Sequence, residues 1–223
     1  MPGGWTLATM WMRMPGQTWA GAATAFLAMW IVMMVAMMLA PLLPMLASYR
    51  RTAHPSVTGR LAGLTALAAA GYFSAWTVFG VGAYVICVAF ATAALRWSAV
   101  ARSAPLATGV VLLLAGGVQL TGWKLRQLER CRHCGPAGTP DAGSAYRHGR
   151  RYGVHCCLCC VGYMTLLLVT GMMHLGAVTV VAAAITAERL APTPRQAAWI
   201  ARAAGTLVLV AAAVAIARAW AAA

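Results

Sequence analysis

From Leu61 to Leu95 the chain reads LAGLTALAAAGYFSAWTVFGVGAYVICVAFATAAL, 35 residues without one charged side chain. As a helix this stretch would measure about 52 Å, while the hydrocarbon core of a bilayer is about 30 Å thick. It is therefore expected to cross a membrane, either as one long helix bent near Gly80 and Gly82 or as two short ones. Four further apolar stretches accompany it. The first covers 19–46 and is expected to end at Pro41 and Pro44, because proline removes a helical hydrogen bond and clashes with the preceding turn. The third covers 105–123. The fourth, 153–187, is again longer than a bilayer needs and can also be read as a hairpin. The last covers 203–220.

Composition agrees. Hydrophobic residues make up 62% of the 223 and charged residues 9%, whereas a soluble domain carries about 25% charged residues. The expected fold is all-α: one polytopic transmembrane helix bundle over residues 1–223, with about five spans, two of them unusually long. Arg13 precedes the first apolar stretch. That stretch, at roughly 28 residues, is too long for the apolar core of a cleavable signal, about 7–15 residues, and is expected to remain as a helix.

The 17 Lys and Arg residues face only three acids, Glu129, Asp141 and Glu188, which gives a formal net charge of +14. In a soluble protein this balance suggests nucleic acid. Here the basic residues flank apolar stretches, so they are read as topology signals and as contacts with anionic lipid, and no nucleic-acid partner is expected. Residues 124–152 form the one sizeable polar segment. It is read as a basic, cysteine-containing loop built around Gly135-Pro136-Ala137-Gly138-Thr139-Pro140. With five spans, eleven basic residues fall on one side and six on the other, which places the N-terminus outside by the positive-inside rule. Glu188 is read as a helix-end charge at the interface.

Chemistry is concentrated in the cysteines. Cys156-Cys157-Leu158-Cys159-Cys160 stands at the mouth of the fourth stretch, and Cys131-Arg132-His133-Cys134 lies upstream. A thiolate is costly to bury in lipid without a partner. A soft metal ion is one such partner, and a disulfide is the other way to neutralise thiols. On a helix, residues four apart share a face, so Cys156, Cys160 and Met164 form one stripe with Cys159 beside it. Met172, Met173 and His174 follow deeper. Thiolate, thioether and imidazole suit Cu(I), and thiolate and imidazole also suit zinc. The first stretch adds Met33 with Met37 and Met34 with Met38 at i,i+4 spacing. In the five-span arrangement Met37 and Met164 lie at similar depth and could meet. Two cysteines at the spacing of Cys131 and Cys134 can chelate one metal or close a small disulfide ring.

Other chemistries are set aside. The interior of each stretch holds no acid, the chain shows no paired carboxylates, and neither a phosphate-binding glycine loop nor a Gly-X-Ser-X-Gly turn is found. No catalytic residue or organic cofactor site is read, and binding is expected ahead of catalysis.

The residues also resemble a known family. Met29-Trp30 through Met33-Met34, Ala36-Met37-Met38 and Pro41 form a Met-rich opening. Gly71-Tyr72 with Trp76 and Phe79 form a second signature, and Gln119, Lys124 and Cys131-Arg132 a third. Gly153, Cys156, Cys159-Cys160, Met164, Gly171 and Met173 form the most distinctive one. Together they resemble a bacterial family of predicted metal-binding integral membrane proteins, a domain of unknown function described as copper-binding. The chain departs from that pattern at Gln127, where a cysteine is usual and Cys134 is offered instead. It departs again at His174 for asparagine, at Val161 for tryptophan, and in the extra Cys157.

The resemblance implies metal binding at the inner (plasma) membrane of a bacterium. The leading expectation is a protein that holds Cu(I), or hands it on, through Cys131, Cys134, Cys156, Cys159, Cys160, Met164, Met173, His174, Met33 and Met37, with zinc as the other candidate metal. Its partners would be the lipid bilayer and a metallochaperone or membrane-complex protein. Two rivals stand beside it. One is an enzyme, a membrane thiol-disulfide oxidoreductase working with quinone. The other is a metal-binding structural subunit of a larger membrane complex.

Overall fold

The computed structural model describes residues 16–52, 61–132, 141–171 and 174–221. Within them the chain forms seven helices: α1 (Trp19–Thr52), α2 (Leu61–Arg96), α3 (Ser98–Leu120), α4 (Gly122–Arg132), α5 (Ala142–Thr170), α6 (Leu175–Leu190) and α7 (Pro194–Ala221). No strand occurs among the described residues. Four helices, α1, α2, α5 and α7, are long and apolar enough to cross a membrane. A fifth span results if the two halves of α3, bent by 50° between Ala104 and Leu106, count as one.

The apolar stretches do not map one-to-one onto helices. The 61–95 stretch is one helix, α2. Pro41 and Pro44 do not end α1, which continues through both. A neighbouring helix engages the backbone at this point, with the Tyr152 hydroxyl donating to the Pro41 carbonyl at 3.3 Å, and proline is tolerated inside apolar helices that pack on others. The polar segment 124–152, expected as a loop, begins in α4 and ends in the first turns of α5. Asp141 starts α5 as its N-cap, accepting from the Gly143 and Ser144 amides at 3.1 and 3.2 Å. Hydrogen bonds from Ser144 and these amides hold the Asp141 carboxyl below the usual carboxylate range.

The fourth stretch is a hairpin. α5 stops at Gly171, whose φ of 95° suits glycine, and α6 returns antiparallel, so that Arg189 lies beside Cys156. Direction elsewhere follows from contacts between helices. Gly149 packs on Ala68 and Gly153 on Tyr72 and Ala75, so α5 runs parallel to α2. Gly162 faces Ala115 while Lys124 faces Cys159, so α3 and α4 oppose α5. Gly109 meets Ile216 and Gly205 meets Gln119, so α7 opposes α3. The start of α1 and the end of α7 thus share one end of the bundle. At the other end lie α4, the start of α5 and the end of α6. Arg126, Arg130, Arg132, Arg147, Arg150 and Arg151 are carried there by α4 and the first turns of α5.

Two packing features set the helices around the cysteines. The first is the seam between α2 and α5. A Cβ on Gly149 would lie 1.8 Å from the Ala68 carbonyl oxygen, and one on Gly71 would lie 2.2 Å from that of Tyr146. Backbone touches backbone here, and only glycine permits it. The second is an aromatic block between α1 and α2, from Tyr72 onward along α2. Phe26 stacks on Tyr84 and Trp30 on Phe79, Trp76 meets Phe79 edge-on, and the Trp30 indole donates to the Trp76 carbonyl at 3.0 Å. Trp30 and Trp76 are fully buried.

The outer surface is apolar. Val78, Ile86, Leu175 and Leu207 are each more than 70% exposed, and only 11% of the most apolar window of α2 is buried. Apolar helices left this bare are compatible with surroundings of lipid. Replacing Gly149 with alanine should destabilise the protein by about 2–3 kcal/mol through overpacking. Gly63→Ala, where a Cβ meets nothing within 4 Å, should leave stability unchanged or slightly raised. Thermal unfolding of the two variants in detergent micelles checks the contrast.

Candidate metal centre

The buried face of α5 carries Tyr152, Cys156, Cys159, Cys160, Tyr163, Met164 and Leu167, the spacing of one helical stripe. The glycine seam presses this stripe against α2. There Tyr72 and Cys156 come within 3.1 Å through the hydroxyl and Sγ. From the other side, Arg189 at the end of α6 donates through Nη2 to the same Sγ, also at 3.1 Å. Cys160, one turn on from Cys156 and next to Cys159, is buried on the same stripe. Cys131, Cys156, Cys159 and Cys160 are all buried and all lie close enough to Arg189 to feel its charge. Cys157 is buried next to them. Each cysteine among the described residues is free of disulfide.

Over this sulfur floor sits an ion pair. Lys124 on α4 lies 2.9 Å from Glu188 on α6, and both side chains are almost completely buried. Lys124 also donates to the Cys159 carbonyl at 2.8 Å and stands 4.8 Å above the Tyr163 ring. Tyr163 donates its hydroxyl to the other oxygen of Glu188 at 2.5 Å. Glu188 is thus no interfacial helix-end charge, because the hairpin folds it inward to meet Lys124. On the flank of α4, Gln127 bonds His155 at 3.2 Å, and Arg132 bonds the Ala191 carbonyl beyond α6.

Of the residues expected as ligands, the structure brings together Cys131, Cys156, Cys159 and Cys160. Met37 and Met164 are buried in the same core, while Met33 is half-buried against it. Counted in helical rise from the bond between Tyr152 and Pro41, Met37 is level with Cys156 and Met164 lies about 12 Å deeper. The α1 methionines fully buried on this face are Met34 and Met38. His174 is set apart from the sulfurs. It caps α6, its Nδ1 accepting from the Ala177 amide at 3.1 Å, and it follows about 15 Å of α5 beyond Cys160. Cys134 and Met173 lie outside the described residues. Among the described residues no group of three or more His, Cys, Asp or Glu is arranged to hold one metal ion. A site here would rest on few sulfurs, a low coordination that Cu(I) accepts.

The charged residues around the sulfurs belong to no ligand motif. Their signal in the sequence is the position of Glu188-Arg189 at the close of an apolar run, where an ionisable residue is a functional candidate by default. Lys124→Met leaves Glu188 buried and unpaired, so it should cost about 3–5 kcal/mol. The double variant Lys124→Met, Glu188→Leu should recover most of that loss, as a comparison of unfolding midpoints in detergent would show.

No curated protein and no solved structure matches this chain. A family model does: that of PpoB2, described as a copper chaperone, matches residues 27–215. The match takes in the Met-rich helix, the seam of α2 and α5, the cysteine stripe and the charged lid, and the chain belongs to the PpoB2 copper chaperone family.

Proposed function

We propose that this protein is a membrane-embedded copper chaperone that holds Cu(I) on buried cysteine sulfurs and hands it on. The observation that carries the reading is the set Cys156, Cys159 and Cys160 on one helical stripe, buried and free of disulfide, with the buried Cys131 near the same Arg189. Copper is the cargo. Soft thiolate and thioether ligands select Cu(I) among the common metals. An ion held by few ligands can pass from one sulfur to the next by gaining a new bond before losing an old one.

The layout gives that exchange a direction. Cys131 belongs to the basic end, where it would capture an ion, with Cys134 three positions on in the sequence as the second sulfur of that step. Cys156, Cys159 and Cys160 would receive it within the bundle. Met34, Met37 and Met38 offer thioethers at about the same depth, with Met164 beyond. Arginines on α4 and the first turns of α5 crowd this end, so the positive-inside rule assigns it to the cytoplasm, with anionic lipid headgroups around it. The bare apolar sides of α2 and α7 would face acyl chains.

Elemental analysis of the detergent-purified protein, with free thiols counted in the same samples, tests the reading. The wild type should carry close to stoichiometric copper. A Cys156→Ser, Cys159→Ser, Cys160→Ser variant should lose it and keep its helical circular dichroism. A metal-free wild type with its cysteines paired as disulfides would overturn the proposal.

A further inference from the structure

Arg189 is a buried cation without an anion. Its side chain is more than nine-tenths buried, and Nε and Nη1 have no hydrogen-bond partner. Only Nη2 is engaged, with the Cys156 sulfur. The three acids of the chain are all accounted for. Asp141 caps α5 at the surface, Glu129 is exposed on α4, and Glu188 is held by Lys124 and Tyr163. A buried charge left unpaired is strongly destabilising. Its hydrogen-bond contact is the Cys156 sulfur at 3.1 Å, and Cys131, Cys159 and Cys160 are the other ionisable groups close enough to act on it.

From this arrangement we infer that Arg189 is the fixed counter-ion of a two-thiolate site and selects for a monovalent metal. The inference rests on the copper-binding reading above and adds the residue that sets the charge of the cargo. When Cu(I) binds Cys156 and Cys160, two S–H protons leave to solvent, two Cu–S bonds form, and no electron is transferred. Two thiolates and one Cu(I) carry a net charge of −1, which Arg189 cancels, while the pair of Lys124 and Glu188 remains neutral by itself. A divalent ion on the same two sulfurs makes a neutral unit and leaves Arg189 uncompensated. The guanidinium therefore favours Cu(I) and disfavours Zn(II) at a site whose sulfurs alone would accept either.

The test uses the full chain in detergent, with Cu(I) titrated against a chromophoric Cu(I) chelator and with Ag(I) and Zn(II) titrated separately. Arg189→Met should weaken Cu(I) binding about tenfold or more, with Zn(II) binding unchanged or tighter, so that the preference between them falls. Arg189→Lys keeps the charge and should restore most of it. A preference that is unchanged in Arg189→Met, or lost equally in Arg189→Lys, would overturn the inference. The wild type supplies a check that needs no variant: it should prefer Ag(I) and Cu(I) to Zn(II), and equal affinity for Ag(I) and Zn(II) would refute charge selection. A wild type that takes up no Cu(I) at all would instead bring down the copper reading on which this one stands.

Discussion

Lys124, Glu188 and Arg189 are charged side chains sealed in an apolar bundle, and their need for opposite charge organises the structure around them. Lys124 reaches Glu188 only because α5 and α6 form a hairpin that carries Glu188 back to the end where it can meet α4. The same return puts Arg189 against Cys156. α4 is short and polar, with little apolar surface of its own to bury. The ion pair, the hydrogen bond to the Cys159 carbonyl and the contact with Tyr163 hold it across the bundle. An ion pair buried this deeply is weak evidence for stability, since desolvation offsets most of its attraction. Its evident effect is positional, because it fixes three helices around the cysteines.

Steric constraint completes what charge begins. α5 bears cysteines on more than one face, and only one rotation of the helix sets Cys156, Cys159 and Cys160 inward together. The contact of Gly149 and Gly153 with Ala68, Tyr72 and Ala75 selects that rotation. Tyr72, one turn along α2 from Ala68, then arrives at Cys156. The glycines thus act on the sulfurs at a distance, through the angle at which α5 meets its neighbour.

The helical character and the cysteine stripe are legible in the sequence because both depend on local pattern: apolar length and four-residue spacing. Helix ends are less legible. Pro41 reads as a stop, yet α1 continues, and the packing it meets there, Tyr152 among it, comes from more than a hundred positions away. The turn at Gly171 is present only as one reading of a long apolar run. The charge lid is hidden for the same reason. Lys124 and Glu188 look like ordinary flanking charges until the hairpin and α4 bring them together, and nothing in either neighbourhood names the other. His174 shows the converse, a residue whose chemistry suggests a ligand and whose geometry makes it a cap.

The block of Phe26, Trp30, Trp76, Phe79 and Tyr84 starts beside the sulfurs and continues away from the basic end, since the register that sets Gly149 on Ala68 and Gly153 on Tyr72 puts Trp76 and Phe79 level with Cys157 and Cys160. Its rings interlock, and both indoles are fully buried. Between α1 and α2 the bundle is therefore filled with packed rings at the level of the cysteines and beyond it. Rings interlocked in this way tie α1 and α2 into one rigid unit at that level.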